Sequence, residues 1–194
     1  MPHQPHLKLP KYGVNLYLPL LLDTTRLTYE NRSGGFVFCQ TKHMKIHIGS
    51  DHAGLEFKAI IIAHLKKSGH DVTDHGPHQF DSQDDYPVFC IPTALATAAD
   101  PSSFGIVLGG SGNGEQMAAN KVKGVRAALV WSIETAKLAR EHNNANVISI
   151  GGRMHDQAFC LQLVDSFLAT PFSADERHVR RITQISNYEG KGSI

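Results

Sequence analysis

Chemistry in this chain is suggested first by Glu115, which follows the stretch Gly109-Gly110-Ser111-Gly112-Asn113-Gly114. A glycine-rich loop of this kind can turn successive backbone N–H groups inward, forming a nest for a developing oxyanion. A carboxylate on the rim of such a nest is suited to taking a proton from the carbon beside a carbonyl, while the amides hold the resulting enediolate. Two nucleotide-binding patterns fail here. No third glycine completes G-x-G-x-x-G, since Glu115 and Met117 stand where it would fall, and the lysine of a P-loop is replaced by Glu115. The alternative is an ordinary tight turn with Glu115 in water. Four glycines in six residues are more than such a turn requires, which favours function.

Three further groups could serve the same chemistry. Gly49-Ser50-Asp51-His52-Ala53-Gly54 offers a proton-carrying pair, Asp51 and His52, where a helix N-terminus would favour a bound anion. Taken alone, Asp51 is read more readily as a helix cap. In Arg140-Glu141-His142-Asn143-Asn144-Ala145, His142 is suited to moving protons between sugar oxygens near neutral pH, although an isolated histidine is more often a surface residue. Arg153, after Gly151-Gly152, and Arg177 with Arg181, spaced i, i+4, are the best phosphate ligands in the chain. For Arg177 and Arg181 a solvated basic face is the plain alternative.

These residues need elements to position them. From Met44 onward, short β-branched runs alternate with longer helical periods, a βαβ grammar. Strands are expected at Lys45–Gly49, His70–Asp74, Gly105–Leu108, Val125–Val130 and Val147–Ile150. Between and after them helices are expected through Leu55–Leu65, Pro87–Ala99 with an irregularity at Pro92, Ala118–Ala119, Ile133–Arg140 behind an N-cap at Ser132, Phe159–Phe167 and Ala174–Tyr188. The succession implies a Rossmann-like three-layer α/β/α sandwich with a five-stranded parallel sheet, its site at the carboxyl ends of the strands.

Composition sets outer limits. The 194 residues suit one domain, expected at 44–189 with a tail at 190–194. Nineteen Lys and Arg against eighteen Asp and Glu leave a net charge of +1, so no overall field recruits nucleic acid or an anionic membrane. The three cysteines, Cys39, Cys90 and Cys160, are odd in number and far apart, suggesting neither a disulfide framework nor a zinc site, and pointing to a reducing, cytoplasmic setting. The apolar run Val14–Leu22, broken by Asn15 and Pro19, is too short to span a bilayer. Residues 1–43 sustain no helical or strand period and are expected to form a poorly ordered extension translated from upstream of a start at Met44. An extra edge strand on the domain is the alternative.

Together, the stretch Gly49–Gly54, then Asp85-Tyr86-Pro87, Gly109–Glu115 with Ala119-Asn120-Lys121, Gly124-Val125-Arg126-Ala127, and His142-Asn143-Asn144-Ala145 into Ile150-Gly151-Gly152-Arg153 resemble the RpiB/LacAB sugar-phosphate isomerases. The resemblance is to the ribose-5-phosphate isomerase B branch that carries glutamate in this loop. It runs from Met44 to Tyr188. It implies interconversion of D-ribose 5-phosphate and D-ribulose 5-phosphate in the non-oxidative pentose phosphate pathway, without metal or other cofactor, in a homodimer or a dimer of dimers whose sites are shared between subunits.

By the same resemblance, His142 would open the sugar ring with Asp51 assisting, and Glu115 would move the proton between C2 and C1. Other members use a cysteine base at a nearby loop position, where this chain has Gly109 and Gly110; Cys90 and Cys160 lie outside the loop. Ser111 with the amides of Gly112, Asn113, Gly114 and Glu115 would hold the enediolate, and Gly110 would also bind substrate. Arg153, Arg177 and Arg181, with His52 and His178, would bind the phosphate, while Asn143 and Tyr86 would contact sugar hydroxyls. Six-carbon substrates such as allose or galactose 6-phosphate stay open, as does a nucleotide-binding module without activity.

Overall fold

The computed structural model describes Arg26–Glu30, Phe36–Gln40 and residues 43–193. Strands β1 (Arg26–Glu30) and β2 (Phe36–Gln40) pair antiparallel, from Arg26↔Gln40 to Glu30↔Phe36, in a sheet of their own. This corrects the reading of residues 1–43 as lacking any strand period, and the two strands do not extend the main sheet. Leu27-Thr28-Tyr29 and Phe36-Val37-Phe38 are β-branched and aromatic runs on either side of Ser33-Gly34-Gly35, a composition that favours a hairpin. The expectation of disorder for the rest of this segment falls outside the described residues.

The remaining elements are β3 (Lys45–Ser50), α1 (Leu55–Lys67), β4 (Asp71–Asp74), α2 (Pro87–Ala99), β5 (Ser103–Gly109), α3 (Asn113–Ala119), β6 (Ala127–Leu129), α4 (Ile133–Asn143), β7 (Val147–Gly151), α5 (Gln157–Ala169) and α6 (Glu176–Lys191). All five main-sheet strands run parallel in the order β4-β3-β5-β7-β6, so the expected three-layer architecture is present. Most boundaries shift by one to three residues from the sequence reading. The fourth parallel strand shrinks to Ala127–Leu129, and the last helix runs three residues further, from Tyr188 to Lys191.

The two sheet faces bury separate clusters because successive strand residues point to opposite sides. Ile106 and Leu108 of β5 join Ile148 and Ile150 of β7 against Ile61 and Leu65 of α1, Ala136 of α4, and Leu163 and Phe167 of α5. Val107 and Val147 face the other way, meeting Cys90 and Ala94 of α2 and Ala118 and Ala119 of α3. Helix α2 continues through Pro92, whose missing N–H frees a carbonyl at the exposed Val88. Ser132 caps α4 as expected, in a reciprocal capping box with Thr135. Helix α6 stands apart. Only His178 of its sixteen residues is buried, and Ile185 and Tyr188 are exposed.

Between β3 and the end of β4, His47 Nδ1 lies 3.0 Å from His75 Nε2. Burial is the main cause that holds His47, His70 and His75 below the ordinary 6.5. Asp100 and Asp71 oppose the shift at His47 and Lys45 adds to it; at His75, His47 adds to it and Asp74 opposes. The unfolded chain therefore binds these protons at a higher pH than the native one, so their stabilisation is complete above about pH 6.5 and is lost as pH falls through the native values. Urea melts between about pH 8 and 5 are expected to show a midpoint that drops below pH 6.5. The drop should be smaller in a variant carrying His47→Gln and His75→Gln; an equal drop would assign the effect to other groups.

Candidate active site

Glu115 sits in the first turn of α3, behind Gly112, which takes the left-handed conformation at φ 82°. That conformation suits glycine and lets the chain turn sharply from β5 into the helix. The turn is fixed from below by Ser149 on β7, whose buried hydroxyl donates to the Gly112 carbonyl at 2.6 Å. Gly152 and Arg153 donate their N–H groups to the carbonyls of Gly109 (2.8 Å) and Gly110 (3.1 Å), tying the ends of β5 and β7 together.

The Glu115 side chain folds back over β5 and is 4% exposed. A Cβ at Gly109 would overlap its carboxyl, so the missing side chain there is the space the carboxylate occupies. One carboxyl oxygen, Oε2, has no hydrogen-bond partner among the described residues. Burial raises the carboxyl above the ordinary 4.5 and the charge of Asp51 adds to this, while the amides of Glu115 and Gly112 act in the opposite sense. The result is a stronger base than a solvated glutamate.

Around it lies a cavity of about 470 Å³ lined by Asp51, His52, Tyr86, Gly110, Ser111, Gly114, Glu115 and Arg153, together with Ala53 and Met154. Asp51 Oδ1 accepts from the amides of Ala53 (2.9 Å) and Gly54 (3.2 Å), so it does secure the turn into α1 while also facing the cavity. Ser111 is exposed, and its Oγ accepts from the Asn113 amide at 3.3 Å. Asn113 and Ser111 also border a smaller neighbouring cavity of about 220 Å³. The cavity is at the carboxyl ends of β3 and β5, as an open parallel sheet favours.

The other expected site residues lie elsewhere. Helix α4 returns from the carboxyl end of β6 to the start of β7, which carries His142 and Asn143 toward the amino ends of the strands, opposite the cavity. There His142 stacks on His178 of α6, their ring centroids 4.3 Å apart and their planes 12° from parallel. Arg177 Nε donates to His178 Nε2 at 3.2 Å, and both Arg177 and Arg181 are exposed. Burial, then the nearby His142 and Arg177, holds the His178 imidazole below its ordinary value. A single chain thus gathers Glu115, Asp51, His52, Tyr86, Ser111 and Arg153 but not His142, Asn143, Arg177, His178 or Arg181.

Two residues that the sequence reading did not single out shape the cavity. Ser149 holds the glycine turn, and Asp84 binds His52 through both its backbone amide (3.0 Å) and ring Nδ1 (2.6 Å). Asp84 belongs to the polar run Ser82-Gln83-Asp84-Asp85, where no periodicity distinguishes a buried carboxylate from solvated neighbours.

Residues 46–185 match the Ribose/Galactose Isomerase family. The chain belongs to that family. It is similar to ribose-5-phosphate isomerase B of Mycolicibacterium paratuberculosis, 61% identical over 146 residues, which cover 75% of this chain and 92% of that protein. The corresponding Mycobacterium tuberculosis protein is 59% identical, over 75% of this chain and 90% of its own length. Among solved structures, ribose-5-phosphate isomerase B of Mycoplasma genitalium with bound ribulose 5-phosphate superposes with a TM-score of 0.75 at 46% identity, covering 77% of this chain and 99% of that one. Among the described residues no helix is long and apolar enough to cross a membrane.

The fit of Glu115 against Gly109 generates a structural prediction. Gly109→Ala is expected to expel the Glu115 carboxyl from its seat while the remainder of the fold persists. A crystal structure of the variant with the carboxyl unmoved would contradict the packing described.

Proposed function

We propose that this protein is an aldose-ketose isomerase interconverting D-ribose 5-phosphate and D-ribulose 5-phosphate through a cis-enediolate. The observation that carries the reading is the buried Glu115, its carboxyl raised by burial, beside the glycine-rich loop whose Gly110, Ser111 and Gly114 line the cavity, in a chain whose relatives bear that activity in their names. In the open-chain aldose, Glu115 removes the C2 proton, and the electron pair moves to form the C1–C2 double bond as the carbonyl oxygen becomes an oxyanion. The amides of Gly110 to Gly114, with Ser111, stabilise that charge. After proton exchange between O1 and O2, Glu115 returns its proton to C1, giving the ketose. No net oxidant or reductant is consumed.

Opening of the furanose ring is assigned to His142 with Asp51, and phosphate binding to Arg153, Arg177 and Arg181 with His52 and His178. Asn143 and Tyr86 contact the sugar hydroxyls. Since one chain holds these groups toward opposite ends of the strands, the reading requires a homodimer, or a pair of such dimers, with each site built from two subunits. The groove beside β6 and α6 supports this: Trp131, Ile182, Ile185 and Tyr188 line a cavity of about 790 Å³ on a chain whose α6 is nearly unburied. An apolar face of this kind suits a second copy. A cytoplasmic place in pentose phosphate metabolism, without a metal, completes the proposal.

Glu115→Gln is expected to retain sugar-phosphate binding while turnover on ribose 5-phosphate falls at least about a hundredfold. Normal turnover would remove the mechanism. In the unmodified enzyme the acid limb of kcat/KM should lie above the ordinary carboxylate range, because a raised Glu115 accepts its proton, and ceases to act as base, at higher pH. Arg177→Ala combined with Arg181→Ala should chiefly raise KM. Co-expressing Glu115→Gln chains with His142→Ala chains tests the shared site: mixed dimers regain activity that neither parent has, and failure to regain it would refute the two-subunit arrangement. Relative turnover on ribose and allose phosphates separates five-carbon from six-carbon specificity.

A further inference from the structure

Within the cavity, His52 is the one ring held by a buried carboxylate. Asp84, in the connection between β4 and α2, has a side chain only 7% exposed. Its Oδ1 accepts from the His52 amide at 3.0 Å and lies 2.6 Å from His52 Nδ1. Its Oδ2 is buried with no hydrogen-bond partner among the described residues. The Phe80 ring stands edge-on to the imidazole, with centroids 6.0 Å apart at 86°.

An ionised carboxylate can only accept hydrogen bonds, so Nδ1 must carry the proton of this contact. Nε2 is then the ring atom left for the cavity. In a neutral ring it would be an acceptor, unable to donate to an anion; with a second proton it becomes a charged donor. A carboxylate removed from water, with one oxygen unmatched, is costly unless a cation faces it; among the described residues His52 is the side-chain partner of Asp84 that can become one, and the Asp51 carboxylate, within 4.8 Å of both, adds to the negative charge around the ring. The ring therefore stands between a fixed negative group behind and the incoming anion in front.

We propose that Asp84 is a positioning residue, holding His52 with Nε2 turned to the cavity and supporting its doubly protonated form when a phosphate dianion binds. This rests on the reading above that the cavity takes a sugar phosphate. Asp84 touches no substrate and takes no part in proton transfer at carbon; its effect is on binding. It acts as the carboxylate partners of ligating histidines do, by setting the tautomer and orientation of a ring whose far nitrogen makes the contact.

The test separates this role from mere structural support. Asp84→Asn keeps the shape and an acceptor but removes the charge. It is expected to raise KM for ribose 5-phosphate, and the inhibition constant of inorganic phosphate, by about tenfold, as loss of a charge-assisted hydrogen bond would do, with kcat nearly unchanged. Inhibition by the uncharged polyol ribitol should be unaffected, whereas a distorted cavity would weaken both inhibitors. The His52→Ala and Asp84→Asn double variant should bind phosphate no more weakly than His52→Ala alone. Additive losses, or a fall in kcat at unchanged KM, would overturn the proposal. On the unmutated enzyme, nitrogen-15 NMR of the His52 ring in inorganic phosphate should show both nitrogens protonated, and an unprotonated Nδ1 would overturn it without any variant. The phosphate and NMR measurements do not depend on turnover. Absence of turnover in the wild type would count against the isomerase reading, whereas normal turnover with unaltered phosphate binding in Asp84→Asn would count against Asp84 alone.

Discussion

The Glu115 carboxyl can lie within the protein because the backbone at Gly109 leaves it room, and that close fit governs most of what surrounds the cavity. A carboxylate drawn out of water loses hydration and becomes a better base, but only if something fixes it there. Gly109 supplies the volume, and the left-handed turn at Gly112 aims the first turn of α3 back over β5. Ser149 secures that turn from the neighbouring strand. The same turn that buries the acid also brings Gly110, Ser111 and Gly114 to the cavity wall.

Helix-end and loop carboxylates do different work in this cavity, as their partners show. Asp51 is held by two amides of the turn before α1, combining a local structural duty with a place facing Glu115. Asp84 reaches across 32 residues of sequence to one histidine. The buried thiols, in contrast, are removed from chemistry: burial pushes Cys160 up to about 11 and Cys90 further, which leaves no ready thiolate in either core cluster.

The parallel sheet imposes a division of labour. Every crossover helix returns the chain to the amino ends of the strands, so residues near the C-terminus of a helix, such as His142, sit opposite those that follow a strand directly, such as Glu115. The stack of His142 on His178 joins α4 to the otherwise loosely held α6 and keeps Arg177 beside the pair. Helix α6 itself buries little beyond His178 within the chain, leaving Ile185 and Tyr188 exposed.

Much of this was legible in the chain. Alternating β-branched runs and helical periods gave the order of the parallel strands and helices, because periods of two and of about 3.6 residues reflect which faces must be buried. The glycine stretch with Glu115 stood out by composition, as did Asp51-His52. The pairing of β1 and β2 escaped because its runs are short and set in a polar leader, whereas the helix over Pro87–Ala99 was legible, and it runs on through Pro92 because the carbonyl left free lies at the exposed Val88.

What the amino-acid order determined is therefore local: which residues turn, cap, alternate and could carry a proton. Only tertiary structure decided that Glu115 is buried over Gly109, that Asp84 closes on His52, and that His142 and Glu115 are held apart within one chain. The physical reason is that burial and orientation depend on packing between segments distant in sequence, which no short-range period or spacing encodes.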